Sequence, residues 1–137
     1  MINLALELAE GKIDIVYIYG SYENNSLFFN SFFAKDNKVY TINKLERLGI
    51  DNLTTDRMFQ YLDIGMTDFE RFITLFQEDK KQPPTQLKLV YDNVNEKANA
   101  KYSYEIFYSN SDSLTPEDIF MEWYNEVKEE VEGNHDI

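Results

Sequence analysis

The feature that most limits the fold is a set of six apolar residues between positions 55 and 79 that recur at alternating steps of three and four. This spacing keeps them on one face of an α-helix. Pro83 and Pro84 follow and stop the helix. Gly65 lies inside it, where a glycine costs about 1 kcal/mol relative to alanine, so a kink or break could form there. The six residues are Phe59, Leu62, Met66, Phe69, Ile73 and Phe76.

Two groups of extended segments flank this helix. Before it, residues 13–19, 26–34 and 38–42 are rich in β-branched and aromatic side chains. Short polar turns separate them, which predicts a three-stranded antiparallel meander. After it, residues 87–91 alternate in character and predict a strand, and residues 98–107 predict its partner.

Helices are also predicted at both ends of the chain. Residues 2–9 read as a short amphipathic helix that Gly11 ends. The run Thr115-Pro116-Glu117-Asp118 opens the last helix, because threonine caps a helix, proline suits its first position and acids suit its positive end. This helix runs to about residue 131, and Gly133 ends it. The polar residues 43–54 are expected to form mostly a loop.

The predicted order is therefore helix, three strands, helix, two strands, helix. A length of 137 residues favours one domain across residues 1–137. The two strand groups most simply form one antiparallel sheet of about five strands with the helices packed on one face, which is an α+β fold. The opposite face would be exposed or covered by a partner.

Charge is the second informative feature of the sequence. The chain has 25 acidic and 13 basic residues, a formal net charge of −12. Such a domain repels nucleic acid and anionic lipid and attracts basic partners, although simple solubility is the alternative explanation. From Glu105 onward only Lys128 opposes ten acidic residues, so this segment carries −9 of the −12. The ten are Glu105, Asp112, Glu117, Asp118, Glu122, Glu126, Glu129, Glu130, Glu132 and Asp136.

Residues suited to catalysis are scarce. There is no cysteine, which excludes disulfides, thiolate catalysis and cysteine-bound zinc. The one histidine, His135, lies in a tail that is predicted to fray, so no Ser-His-Asp arrangement can form. The segment from Asp92 fails as a calcium loop because its sixth residue is Lys97, and no phosphate-binding or nucleophile-elbow motif occurs. We expect no enzymatic activity, cofactor, metal or small-molecule ligand; a hydrolase that uses two carboxylates is the remaining enzymatic alternative.

The aromatic residues allow two explanations. The four phenylalanines between positions 28 and 33 are predicted to be core. Tyrosine has an apolar ring and a polar tip and is enriched at protein interfaces. Packing of these tyrosines beneath the helices, with only the hydroxyls exposed, is the slightly favoured explanation. Those in predicted strands or just after them are Tyr17, Tyr19, Tyr102, Tyr104 and Tyr108.

The N-terminus does not resemble a signal peptide. It has no basic region, and Glu7 and Glu10 interrupt its apolar residues. No stretch approaches the roughly 20 apolar residues needed to cross a bilayer. We therefore expect a cytoplasmic protein that does not bind membranes.

Two parts of the second half of the chain resemble a known family. The first is residues 83–92, with the sequence PPTQLKLVYD, and the second is residues 98–105, ANAKYSYE, followed by residues 114–123, LTPEDIFMEW. Together they resemble the YezG-like immunity proteins, or antitoxins, of bacterial polymorphic toxin systems. The resemblance implies a cytoplasmic antitoxin encoded beside a secreted toxin, and several such toxins are nucleases.

The sequence thus predicts an immunity protein that binds its cognate toxin domain one to one. The toxin would be a basic nuclease whose active site the acidic protein occludes. The alternative is an acidic chaperone that holds an extended segment of a secreted effector, usually as a dimer. The predicted partner-binding residues are Glu105, Asp112, Glu117, Asp118, Glu122, Tyr102, Tyr104 and Tyr108.

Overall fold

A computed structural model describes residues 1–50 and 53–133. The α+β class, the five antiparallel strands and the predicted order of helices and strands are confirmed. A 3-10 helix lies between β3 and α2 in the described part of the chain. The elements are α1 (Ile2–Leu8), β1 (Ile15–Glu23), β2 (Ser26–Lys35), β3 (Lys38–Thr41), the 3-10 helix (Ile42–Leu48), α2 (Thr55–Glu78), β4 (Gln86–Asp92), β5 (Lys97–Ser103) and α3 (Pro116–Glu132).

The sheet has the order β3-β2-β1-β4-β5, and every neighbouring pair is antiparallel. Two-residue turns, Asn24-Asn25 and Asp36-Asn37, join the first three strands. All four turn residues have a positive φ between 49° and 65°. Asparagine and aspartate tolerate this conformation, which matches the twist of a tight hairpin.

The helices cover both faces of the sheet, so the prediction that they pack on one face is wrong. Val16 and Ile18 of β1 belong to a core with α1 and α2. Tyr17 and Tyr19, which alternate with them, belong to a second core with α3. All four side chains are buried. A strand that is apolar on both sides needs cover on both sides, and α3 supplies the second layer.

Two predicted segments differ from the structure. β5 ends at Ser103 rather than at residue 107, because β4 begins at Gln86 and offers no partner beyond the Gln86–Ser103 pair. The Thr85 hydroxyl then donates to the carbonyl oxygens of Ser103 and Glu105 and turns the chain away.

The second difference is the 3-10 helix Ile42–Leu48, in a region that was predicted to be mostly loop. Ile42, Leu45 and Leu48 recur every three residues, which is the period of a 3-10 helix. Ile42 and Leu45 are buried, and Gly49 closes the helix with a φ of 72°.

Reciprocal contacts between glycine and phenylalanine hold α2 against the sheet. A β-carbon at Gly65 of α2 would overlap the ring of Phe29 in β2. A β-carbon at Gly20 of β1 would lie 2.5 Å from Cε1 of Phe69 in α2. Each surface therefore supplies one ring and one gap. The helix is continuous from Thr55 to Glu78, so Gly65 allows close packing and does not break the helix.

Replacement of Gly65 by alanine tests this contact. In an exposed helix the change would stabilise the protein by about 1 kcal/mol, but here we expect the free energy of unfolding to fall by about 1–3 kcal/mol because the core is overpacked. Urea unfolding followed by circular dichroism measures the difference. Glu70→Ala, at an exposed position of the same helix, should change stability by less than about 0.5 kcal/mol. A Gly65→Ala variant as stable as the parent would contradict the packing.

Candidate functional site

The exposed side of α3 carries a continuous row of carboxylates. Its apolar side, with Phe120, Trp123, Tyr124 and Val127, is buried against the sheet. On the other side six acidic residues are exposed, several of them four positions apart, so they lie above one another along the helix. The α3 acidic face consists of Glu117, Asp118, Glu122, Glu126, Glu129 and Glu130.

The one basic residue of α3, Lys128, forms an ion pair with Glu132, with 3.7 Å between Nζ and Oε1. Oε2 of Glu132 also accepts a hydrogen bond from the backbone N–H of Val39, at 2.9 Å. Glu132 therefore ties the end of α3 to the edge strand β3. Lys128 is therefore engaged at this end of the helix and, among the described residues, forms no ion pair with the carboxylates of the first turns.

The start of α3 is a capping box. The Asp118 carboxylate accepts hydrogen bonds from the backbone N–H of Thr115, at 2.8 Å, and from its hydroxyl, at 3.0 Å. The Thr115 hydroxyl oxygen accepts one from the N–H of Asp118. This motif satisfies backbone groups that the helix cannot pair itself. Asp118, a predicted partner-binding residue, thus has a structural role at the helix start while its charge adds to the acidic face.

A buried carboxylate anchors the loop between β5 and α3. Glu23, at the end of β1, is 4% exposed and accepts hydrogen bonds from the backbone N–H groups of Phe107, Tyr108 and Ser109, at 2.9, 3.4 and 3.0 Å. Burial alone would raise the pKa of Glu23, but these hydrogen bonds lower it overall. The loop that carries Glu105 and Asp112, both exposed, is therefore fixed to the sheet.

The predicted tyrosine anchors do not form one group. Tyr108 is buried, and its hydroxyl shares a 2.6 Å hydrogen bond with that of Ser21, so no partner can reach its ring. Tyr102 is 48% exposed, but it pairs with Leu87 on the α2 side of the sheet and contacts the rings of Phe72 and Phe76. Tyr104 is exposed just beyond β5.

Of the eight predicted residues, three therefore share a surface at the start of α3. Glu117, Asp118 and Glu122 lie on the same helix, and Asp112 lies in the loop that leads into it. Glu105 lies at the other end of that loop, and Tyr102 lies on the opposite face of the sheet from α3. Most of the predicted acidic residues thus lie on or next to one surface, whereas the three predicted tyrosines lie in different places.

The sequence did not predict a groove of about 470 Å³ between the first halves of α2 and α3. It lies beside Asn30 of β2, and the start of the 3-10 helix closes one end. Phe59 of α2, 62% exposed, and Met121 of α3 line opposite walls, and Glu117 joins the groove to the α3 acidic face. The lengths of the predicted strands contained one indication of this groove. The strand predicted at residues 38–42 is too short to pair with the whole of the strand predicted at residues 26–34.

Other kinds of site find little support in the described residues. Within residues 1–50 and 53–133, no group of three or more histidine, aspartate or glutamate side chains could hold a metal ion. No helix in those ranges is long and apolar enough to cross a membrane. His135, the one histidine of the sequence, for which no catalytic role is predicted, lies outside the described residues.

No protein-family model matches this chain, and a search of curated proteins found no match. The resemblance to YezG-like immunity proteins therefore stays a prediction. What the chain does must be inferred from its surface.

Replacement of Glu23 by glutamine tests whether its charge holds the loop. Because the pKa of Glu23 is lowered in the folded state, the carboxylate stabilises the fold above its ordinary pKa of 4.5 and loses this contribution as the pH falls through its folded-state value. We expect Glu23→Gln to cost about 2 kcal/mol at pH 7, and the difference from the parent to shrink below pH 4.5. Urea unfolding from pH 7 to pH 3 measures this.

Glu70→Gln is the matched control, because its side chain is exposed on α2. Its unfolding free energy should stay within about 0.5 kcal/mol of the parent. A Glu23→Gln variant with a constant deficit across the whole pH range would mean that shape, rather than charge, holds the loop.

Proposed function

We propose that this chain is an immunity protein that binds a cognate bacterial toxin, a basic nuclease domain, and neutralises it by occupying its active site. The observation that supports this most is the α3 acidic face. A nuclease must bind phosphate, so its cleft is basic. A rigid row of carboxylates complements such a cleft, is steered toward it and excludes the substrate. The protein would act in the cytoplasm and would catalyse no reaction itself.

The packing of α3 against the sheet supports this role because it holds the acidic face in a fixed position. Trp123 packs edge-on against Phe32, with ring centroids 5.0 Å apart, and Phe32 stacks on Tyr17 at 4.5 Å. The capping box fixes the start of the helix, and Glu132 fixes its end. A surface that is already ordered loses little conformational freedom on binding, which favours affinity.

A chaperone for a secreted effector is the second candidate. The observation that favours it is the groove between α2 and α3, because a chaperone must hold an unfolded, extended segment. The two candidates differ in the state of the partner. An immunity protein binds a folded toxin domain one to one, whereas a chaperone binds a segment and is usually a dimer. Light scattering of the complex, with the folded state of the partner followed by circular dichroism, separates them.

Charge reversal on the α3 acidic face tests the immunity proposal. The partner is the toxin domain encoded by the neighbouring reading frame. We expect Glu122→Lys together with Glu126→Lys to slow association at low salt by about tenfold or more, because electrostatic steering contributes 10- to 1,000-fold to association rates. Stopped-flow fluorescence at low and high salt measures the effect, which salt should largely remove.

The matched control is Asp63→Lys together with Glu70→Lys. These residues are exposed on α2, so the control changes the net charge by the same amount at a different place. Its association rate should stay within a few-fold of the parent. Equal slowing by both double variants would mean that total charge matters and the α3 acidic face does not. A neighbouring toxin with an acidic contact surface would also contradict the proposal.

A further inference from the structure

The sheet edge at β3 is incomplete, because β3 is shorter than β2; the part of the β2 edge that β3 leaves uncovered is called the step. β3 pairs only with the second half of β2, and the last pair is Phe32 with Thr41. β1, by contrast, pairs with β2 along its whole length, from Ser26 to Ala34. In the described part of the chain, residues 26–31 of β2 therefore have a strand on one side alone.

The backbone direction at this step follows from the two tight turns. Glu23–Ser26 and Lys35–Lys38 flank two-residue turns, and such flanking residues form hydrogen-bonded pairs. Even-numbered residues of β2 therefore bond to β1, and odd-numbered residues point toward β3. The carbonyl of Ala34 agrees, since it accepts a hydrogen bond from the N–H of Asp14 on the β1 side. Hence Leu27, Phe29 and Ser31 direct their backbone groups into the step.

Asn30 occupies part of the position that a neighbouring strand would fill. Its side-chain oxygen Oδ1 accepts a hydrogen bond from the backbone N–H of Ser31, at 2.8 Å. Exposed strand edges attract other strands, and proteins commonly protect them. Here the protection covers one donor of the edge, while no strand of the described chain lies beside Leu27 and Phe29.

Both walls of the groove beside this edge are apolar. Phe59 and Leu62 of α2 lie on one side, and Phe120 and Met121 of α3 lie on the other. Side chains of an added strand would point alternately toward α2 and α3. The groove therefore fits an extended segment that is apolar on both of its faces, and the two flanking helices exclude a flat, folded surface.

Charge defines the rest of the occupant. Among the described residues, two charged ones line the groove: Lys44 near the end closed by the 3-10 helix, and Glu117, which belongs to the α3 acidic face. A lysine or arginine at the end of the segment that lies over α3 would meet this concentration of carboxylates. A second copy of this chain fits poorly, because each copy carries −12, and its exposed edge strand β5 contains Lys97 and Lys101 rather than a continuous apolar run.

We propose that the open edge of β2, residues 27–31, is a strand-docking site for an extended, apolar segment of the partner protein that ends in a basic residue. The segment continues the line of β3, hydrogen bonds to Leu27 and Phe29 and buries its side chains between α2 and α3. Strand addition of this kind takes its affinity from backbone hydrogen bonds and its specificity from side-chain pockets. The proposal rests on the proposed function only in that the partner is a protein.

A phage-displayed library of random decapeptides, selected on the full chain, tests the site without knowledge of the partner. Phe59→Ser removes the exposed wall of the groove, and Leu75→Ser is its control, because Leu75 is 63% exposed on the same helix and does not line the groove. We expect the enriched peptides to contain an apolar run followed by lysine or arginine. Their affinity should fall at least tenfold for Phe59→Ser and stay within twofold for Leu75→Ser.

Amide hydrogen exchange followed by NMR locates the bound peptide. The amides of Leu27 and Phe29 should become protected when the enriched peptide is added, and those of Lys97–Ser103 should not change. Selection of no peptide, equal binding to both variants, or protection at β5 would overturn the proposal. Protection of Leu27 and Phe29 that depends on protein concentration alone would assign the edge to a second copy.

The two proposals can fail separately. Loss of peptide binding in Phe59→Ser, combined with normal toxin association in the α3 charge-reversal variant, would keep the docking site and remove the acidic face from the mechanism. The opposite pattern would keep the acidic face and remove the docking site.

Discussion

β1 and β2 are apolar on both of their faces, and the positions of α1, α2 and α3 follow from this. Val16 and Ile18 require one layer, which α1 and α2 supply, while Tyr17 and Tyr19 require another, which α3 supplies. On the α2 side, contact is close enough for Gly20 and Gly65 each to admit a phenylalanine ring. Because α3 must bury its aromatic side, it presents its carboxylates outward. The acidic surface is thus a direct result of how the central strands are covered.

Local patterns in the sequence were sufficient for the element order. The steps of three and four from Phe59 to Phe76 predict α2, and Thr115 with Pro116 predicts the start of α3, because caps and helix faces depend on neighbours along the chain. The two-layer arrangement depends on contacts between distant residues. Its signal was nevertheless present, since the unbroken apolar run of β1 indicates a strand buried on both sides. The early end of β5 could not be predicted, because it depends on where β4 begins.

In the candidate site, too, the features that depend on local sequence were predicted and those that depend on contacts between distant residues were not. Glu117 and Glu122 were expected on the exposed side of an acidic helix, and they lie there. Tyr108 was expected at the surface, but its loop is drawn inward by Glu23, a residue 85 positions earlier in the chain. Sequence spacing carries no information about such a contact. The groove at β2 is also non-local, because it exists where a strand of four residues lies beside one of ten and two helices extend past the shorter one.

The hydrogen bond from the Ser31 amide to Asn30 has a consequence for selectivity. An added strand can hydrogen bond to the Ser31 amide only after it has displaced the Asn30 side chain. A segment that makes a single backbone hydrogen bond therefore gains little free energy from binding here. A segment that hydrogen bonds to several backbone groups of β2 in register compensates for the loss of the Ser31–Asn30 hydrogen bond. In the proposed docking, Asn30 would therefore favour segments long enough to pair with several backbone groups of β2 over shorter ones.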